Sequence, residues 1–139
     1  MTRSYIGIGA NLGEREATLR SAVAALAATP GVELVAVSSF RETDPVGSIT
    51  DQPRFLNGAV AVETSLGARE LLELLLRIEA DHGRTREGPQ GGPRTLDLDL
   101  LVHGDARLDE PGLTVPHPRL HERDFVLEPL AELGWKPEG

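Results

Sequence analysis

Hydrophobic and polar residues alternate near the start of the chain. Ile6, Ile8 and Ala10 occupy every second position between Ser4 and Ala10. Successive side chains of a β-strand point to opposite faces, so a period of two predicts a strand with one apolar face. We therefore predict a first strand from Ser4 to Ala10.

Two later stretches carry apolar residues at the spacing of a helix. From about Glu14 to Thr29, residues such as Leu19 and Val23 recur three or four positions apart, and a Pro-Gly pair ends the run. A stronger pattern extends from Gly67 to His82, where leucines form one apolar stripe and a glycine follows as a stop signal. Both stretches are predicted to be helices that pack one side against a core.

Further strands are predicted between these helices and after them. The patterns cover residues 32–43, 55–64 and 95–102, and a last helix is predicted from about Glu122 to Leu133. The order strand, helix, strand, strand, helix, strand is typical of a ferredoxin-like α+β sandwich, a mostly antiparallel four-stranded core sheet with helices on one face. The 139 residues contain no internal repeat or linker, so we expect a single domain spanning residues 1–139.

Composition and charge exclude several classes of function. The chain contains no cysteine, which rules out disulfides, thiolate metal ligands and cysteine nucleophiles. Its net charge of -8 disfavours binding to nucleic acids or anionic membranes, because like charges repel. No apolar run approaches the roughly 20 residues of a membrane helix, and no signal-peptide pattern opens the sequence. We expect a cytoplasmic protein.

Two aspartates mark the last predicted strand. Asp97 and Asp99 project from one face of residues 95–102, while the alternating leucines project from the other. Their backbones are about 6.5 Å apart along the strand. Carboxylates at this spacing can bracket two Mg²⁺ ions, which prefer oxygen ligands. The alternative is a half-exposed strand whose polar face happens to carry aspartate.

Three arginines lie on or beside a Gly- and Pro-rich segment, residues 83–94, that leads into this strand. This segment of an otherwise acidic chain contains three basic residues, Arg84, Arg86 and Arg94, and one acidic residue, Glu87. Guanidinium groups offer forked donors for phosphate oxygens. Together with the carboxylate pair they suit a nucleoside triphosphate with magnesium, whereas the alternative is ordinary surface arginine.

Other motifs give weaker signals. The spacing of glycines in residues 7–13 departs from the dinucleotide-binding fingerprint, and no P-loop sequence exists in the chain. His117 and His121 are four apart, but prolines flank the first and no third ligand is near, so zinc is disfavoured. A phosphate contact or a capping role is the favoured function of His117, and the default alternative is an ordinary loop histidine. Phe55 and Asn57 could recognise a flat heterocycle, although an aromatic residue at a strand start is ordinarily part of the core.

The sequence Gly-Pro-Arg-Thr-Leu-Asp-Leu-Asp, from Gly92 to Asp99, resembles the 6-hydroxymethyl-7,8-dihydropterin pyrophosphokinase family. Further blocks that resemble this family follow its order through nearly the whole chain. They are residues 5–13, 51–53, 55–57, 77–79, 83–84, 113–118 and 123–125.

The resemblance implies a ferredoxin-like enzyme that transfers the β,γ-pyrophosphoryl unit of ATP to the pterin and releases AMP, an early step of folate synthesis. It implies two Mg²⁺ ions on Asp97 and Asp99, with Arg84 and Arg94 as further catalytic residues and residues 83–93 as a lid. The pterin is expected to contact Thr43, Pro45, Val46, Phe55, Asn57 and Phe125. ATP is expected to contact Leu76, Glu79, Arg84, Arg86, Arg94, Leu100, Thr114, His117 and Arg123.

The chain departs from the family pattern at four positions. Gln90 and Gly91 stand where many members have a basic residue and a Trp, which predicts a lid that seals the pterin less tightly. Phe55 and Pro118 stand where Tyr is common. Neither change removes a proposed metal ligand.

A rival interpretation keeps the fold and changes the function. Ferredoxin-like domains serve many unrelated roles, including that of a small-molecule-binding regulatory module. Such a module has no need of both the aspartate pair and the arginine segment, and its ligand should bind without a metal. A nucleic-acid-binding module is a third alternative, which the net charge disfavours.

Overall fold

The computed structural model describes residues 1–11, 14–43, 54–82, 96–118, 120 and 124–135, with the backbone alone at 124 and 125. Within these ranges, none of the helices has the length and apolarity that crossing a membrane requires. The elements in chain order are β1 (Thr2–Ala10), α1 (Arg15–Ala27), β2 (Val32–Val37), β3 (Arg41–Thr43), β4 (Phe55–Thr64), α2 (Ala68–Asp81), β5 (Asp97–His103), β6 (Leu108–Glu110), β7 (Leu113–Val115) and α3 (Asp124–Glu132).

The main sheet has the strand order β2-β4-β1-β5, and every neighbouring pair is antiparallel. The short strand β3 also pairs with β4, which makes five strands in all. Because each helix crossover skips one strand, β4 lies between β1 and β2, and β1 lies between β4 and β5. This is the arrangement of a ferredoxin-like α+β sandwich, so the predicted fold class is confirmed.

The two faces of the sheet carry different cores. On one face, Ile6, Ile8, Val60 and Val62 meet the buried leucines of α1 and α2. These two helices therefore cover one face, as predicted. The C-terminal helix α3 packs through residues such as Leu130 against the opposite face, which offers smaller and more polar side chains.

Residues 32–43 form two strands, where one continuous strand was predicted. β2 ends at Val37 and β3 begins at Arg41. At Ser38, the backbone N–H donates to the Ala59 carbonyl at 2.9 Å, and the hydroxyl Oγ accepts from the Ala59 N–H at 2.8 Å. The hydroxyl takes the place of a ladder carbonyl, so the strand is interrupted although its alternating pattern continues.

A small hairpin formed by β6 and β7 follows the main sheet and was not predicted. Leu108 pairs with Val115 across it, and Gly112 at the turn has a φ of +74°. Its three-residue strands are too short for periodicity to reveal them. The side chains of Leu113 and Val115 are buried in the core beneath α1 and α2.

Candidate active site

Strand register brings three of the predicted residues into one region of the sheet. Gly9 pairs with Asn57 on one side and with Asp97 on the other, and Gly7 pairs with Asp99. Cross-strand partners in an antiparallel sheet point to the same face. Asn57, Asp97 and Asp99 therefore surround a strip of β1 that has no side chains.

The two glycines keep this strip open. A methyl group at Gly9 would collide with Asn57 Oδ1, and one at Gly7 would lie 3.4 Å from Leu101 Cδ1. At Gly9 in particular, any other residue would fill the space between the amide and the carboxylate. Gly7 and Gly9, whose spacing does not match the dinucleotide-binding fingerprint, therefore form the floor of a cleft.

A cavity of about 50 Å³ lies above the glycine floor. Small-molecule sites more often enclose roughly 300 to 1,000 Å³. The volume of this cavity lies below that range. The lining includes Asn57, Asp97, Asp99, Leu101, His117 and Val126.

His117 reaches the cavity because the segment after β7 returns to β5. Its backbone N–H donates a hydrogen bond to the Leu101 carbonyl at 2.9 Å. His117 consequently lines the same cavity as Asp99, which lies two residues before Leu101 on β5. This placement suits the predicted phosphate contact better than a solvated loop would.

Asn57 is held in place by Thr43. The amide Nδ2 donates a short hydrogen bond to the Thr43 hydroxyl, and Phe55 pairs with Thr43 at the start of β4. The three residues predicted to contact the pterin on β3 and β4 are thus neighbours. With its NH₂ group engaged in this way, the Asn57 carbonyl oxygen is turned toward Gly9.

Glu79 is positioned beneath the aspartates from the helix side. β5 is an edge strand, and the Leu98 N–H, between Asp97 and Asp99 in the chain, donates to Glu79 Oε2 at 2.7 Å. Glu79 is 3% exposed. A buried carboxylate that accepts an edge N–H anchors that edge to α2, so Glu79 helps to hold the strand that carries the aspartates.

The remaining described residues of the predicted ATP site do not converge on the cavity. Leu100 is buried on the face covered by α1 and α2, opposite Asp97 and Asp99. Leu76 is on the exposed side of α2, and Thr114 is on β7 with its hydroxyl 3.4 Å from Asp109 Oδ1. Arg84, Arg86, Arg94, Arg123, Pro45 and Val46, together with the side chain of Phe125, lie outside the described residues.

The aspartate pair fits a magnesium ion in type and position. Both carboxylates are half-buried and line one cavity, and hard oxygen donors suit Mg²⁺. Across the described ranges, no group of three or more His, Cys, Asp or Glu side chains is arranged around a metal position. Two carboxylates suffice for a magnesium ion that takes water and substrate phosphates as its other ligands.

A larger cavity, of about 370 Å³, lies on the same face at the other end of β1, beside Arg3, Tyr5, Arg107 and Trp135. It contains none of the predicted site residues. Size alone would favour this larger cavity as the active site. The types of side chain favour the smaller one, because two carboxylates, an amide and an imidazole line it above the glycines of β1.

The sequence of the chain matches the family model described as 7,8-dihydro-6-hydroxymethylpterin-pyrophosphokinase over residues 5–134. The chain belongs to this family. The match covers nearly all of the sequence, including every element that lines the cavity, and confirms the resemblance found at residues 92–99. Pyrophosphokinase activity in folate biosynthesis, with ATP as co-substrate, is the activity of the family.

Similar proteins occur in bacteria and plants. Several are named 2-amino-4-hydroxy-6-hydroxymethyldihydropteridine pyrophosphokinase. Among them, that of Bacillus subtilis is 52% identical over 94% of this chain and 77% of its own length, and that of Methylorubrum extorquens is 49% identical over 96% and 83%. The mitochondrial folate synthesis bifunctional protein of Pisum sativum is 45% identical over 92% of this chain and 24% of its own length.

Val126 and Leu101 are lining residues that sequence reasoning missed. Val126 is on α3, and its apolar side chain gave no reason to place it at a site. Leu101 lies two residues after Asp99, so the two-residue period of β5 already places it on the face of the aspartates, but its apolar side chain gave no reason to place it at a site. The register shift with β1 affects the next residue, Val102, which pairs with Tyr5 and packs in the same cluster as Leu101.

Proposed function

We propose that this chain transfers the β,γ-pyrophosphoryl group of ATP to 6-hydroxymethyl-7,8-dihydropterin with Mg²⁺ held by Asp97 and Asp99. The observation that supports this most strongly is the convergence of both aspartates, Asn57 and His117 on one glycine-floored cavity. On this proposal, the set supplies metal ligands, a heterocycle contact and a phosphate contact around one cavity.

The reaction moves the β- and γ-phosphorus atoms together, and only the β-phosphorus exchanges one oxygen partner for another. The pterin hydroxymethyl oxygen forms a bond to the β-phosphorus of ATP, and the bond from that phosphorus to the oxygen bridging the α-phosphate breaks. The hydroxyl proton is released, and AMP leaves. Such a transfer requires little covalent chemistry from the protein; it requires alignment and positive charge where negative charge develops.

Each part of the site has a role in that alignment. Asp97 and Asp99 would hold two Mg²⁺ ions, which would neutralise phosphate charge. Asn57, fixed by Thr43, orients the pterin through its carbonyl oxygen, and Phe55 with Phe125 is expected to enclose the ring. His117 contacts the phosphates, together with the predicted Arg84, Arg86, Arg94 and Arg123.

A product assay tests the activity. Purified protein with ATP, Mg²⁺ and the hydroxymethyl pterin should release AMP and the pterin diphosphate in equal amounts. Release of ADP, or no turnover, would overturn the proposal. We also expect a monomer in solution, which light scattering coupled to size-exclusion chromatography checks directly.

A binding experiment tests the metal without relying on turnover. Calorimetry with a non-hydrolysable ATP analogue should show tight binding in Mg²⁺ and weak binding in EDTA. Asp99→Asn should weaken the Mg²⁺-dependent binding, whereas the control Asp105→Asn, on the exposed turn after β5, should not. Equal affinity with and without Mg²⁺ would instead favour a regulatory binding module.

A further inference from the structure

A carboxylate on α3 binds the segment between β2 and β3 through three hydrogen bonds. Glu132 accepts from the Ser39 backbone N–H at 2.6 Å, from the Ser39 hydroxyl at 2.7 Å and from Arg41 Nη2 at 2.9 Å. These residues are more than 90 positions apart in the chain. We call this set the Ser39–Arg41–Glu132 clamp.

The clamp connects two walls of the candidate site. On the β side, Ser38 is bonded to Ala59 of β4, and Thr43, two residues after Arg41, holds the Asn57 amide. On the helix side, α3 carries Val126, which lines the cavity. Because Val126 and Asn57 line the same cavity, a shift of α3 relative to β3 and β4 would change the space between them.

Arg41 reaches the helix at two points. Its Nη2 bonds to Glu132, and its Nη1 lies 3.9 Å from Glu128 Oε2, one turn earlier on α3. Arg41 pairs with Asn57 in the β3–β4 register, so its side chain rises from the face on which α3 packs. The guanidinium thus links the helix to the strand pair that carries the predicted pterin contacts.

Charge-assisted hydrogen bonds favour a positional role for this contact. The side chains of Arg41 and Glu132 are 38% and 36% exposed, so an isolated ion pair here would contribute little to stability. Glu132 nonetheless receives three bonds, one of them from backbone, and this fixes orientation more than a single surface pair can. Apolar residues such as Leu130 pack α3 against the sheet, and the polar contact adds three bonds of defined direction to that packing.

We infer that Glu132 and Arg41 are positioning residues for the pterin half of the site, because they hold α3 against β3 and β4 at the width that the pterin ring requires. The inference rests on the proposed function. It predicts that loosening the clamp weakens pterin binding and leaves nucleotide binding, which uses the β5 side of the cavity, nearly unchanged.

The test compares Glu132→Ala and Arg41→Ala with a matched control. Glu63→Ala removes the ion pair between Arg3 Nε and Glu63 Oε1, 2.7 Å long, at the far end of β1 and β4. For each protein, pterin affinity is measured by calorimetry in the presence of the ATP analogue, and kcat and both KM values are measured by AMP release. Arg41→Lys tests rescue, since it retains the charge.

We expect Glu132→Ala to raise the pterin KM and dissociation constant by about five- to tenfold, as for the loss of charge-assisted hydrogen bonds. The KM for ATP should change less than about twofold, Arg41→Lys should recover part of what Arg41→Ala loses, and Glu63→Ala should resemble the parent protein. Equal changes in both KM values, or no change in pterin affinity, would overturn the inference. Absence of pterin binding or AMP release in the parent protein would instead overturn the proposed function.

Discussion

The two faces of the sheet are built from the same strands and serve different purposes. On β1, Ile6 and Ile8 face α1 and α2, while Gly7 and Gly9 face the cleft. The large side chains on one side pack closely in the core and stabilise the fold. The glycines on the other side have no side chains and leave room for substrates. Alternation along one strand thus separates stability from function at adjacent residues.

The sharpest way to test this separation is to truncate a cleft residue. Asp97→Ala should lower kcat by at least about a thousandfold, because a proposed metal ligand is lost where phosphate charge develops. Its melting temperature should remain close to that of the parent protein, since the side chain is half-buried on the cleft face. Unfolding of this variant at the assay temperature, seen by circular dichroism, would indicate a structural role.

The reverse result is expected for a residue of the apolar core. Leu26 of α1 is fully buried. Leu26→Ala should lower the free energy of unfolding by about 2 to 5 kcal/mol, through lost burial and the cavity that remains. Denaturant titration measures this loss, and kcat per folded molecule should stay within about twofold. A large loss of kcat would show that the two faces are coupled.

The cleft floor offers a pair of matched substitutions. Gly9→Ala should weaken pterin binding by about tenfold, because the new methyl group would displace the Asn57 amide. Gly7→Ala places its methyl at an ordinary contact distance of 3.4 Å from Leu101, so a smaller effect is expected. Calorimetry with the pterin and the ATP analogue ranks the two. Equal affinities would mean that the floor does not limit the site.

Acid should produce the smallest effect, at the Ser39–Arg41–Glu132 clamp that holds α3 on the cleft face. Hydrogen bonds from the Ser39 hydroxyl and backbone N–H, then the charge of Arg41, hold the pKa of Glu132 below its ordinary value of 4.5. A lowered folded-state pKa contributes stability that is present above the unfolded pKa and is lost as pH falls through the folded value.

The lowered pKa of Glu132 determines how the free energy of unfolding should change with pH. Unfolding titrations of the parent protein and of Glu132→Gln should differ at neutral pH, and the difference should shrink as the pH falls below about 4.5. A difference that stays constant down to the acid limit would show that the Glu132 charge makes no contribution.

Much of the fold could be predicted because its signals are local. The strand at residues 55–64 has the predicted bounds, and α1 and α2 begin and end within two residues of theirs. The shared face of Asp97 and Asp99 followed from the two-residue period of a strand, which depends only on covalent geometry. The family was also readable, because its motifs are short and contiguous.

The features that could not be predicted join residues distant in the chain. Ser38 interrupts a continuous alternating pattern through a bond to Ala59, and Glu79 anchors Leu98 across 19 positions. Neither contact has a signature in the local pattern, because each depends on which elements become neighbours.

By itself the sequence determined the elements, the family and the pairing of the two aspartates, since propensity, side-chain period and motif spacing act over a few residues. Only the tertiary structure decided that α3 covers the cleft face, that Gly7 and Gly9 form its floor, and that Glu132 meets Ser39 and Arg41. These contacts arise when the chain buries its apolar surface, and that burial depends on the whole molecule at once.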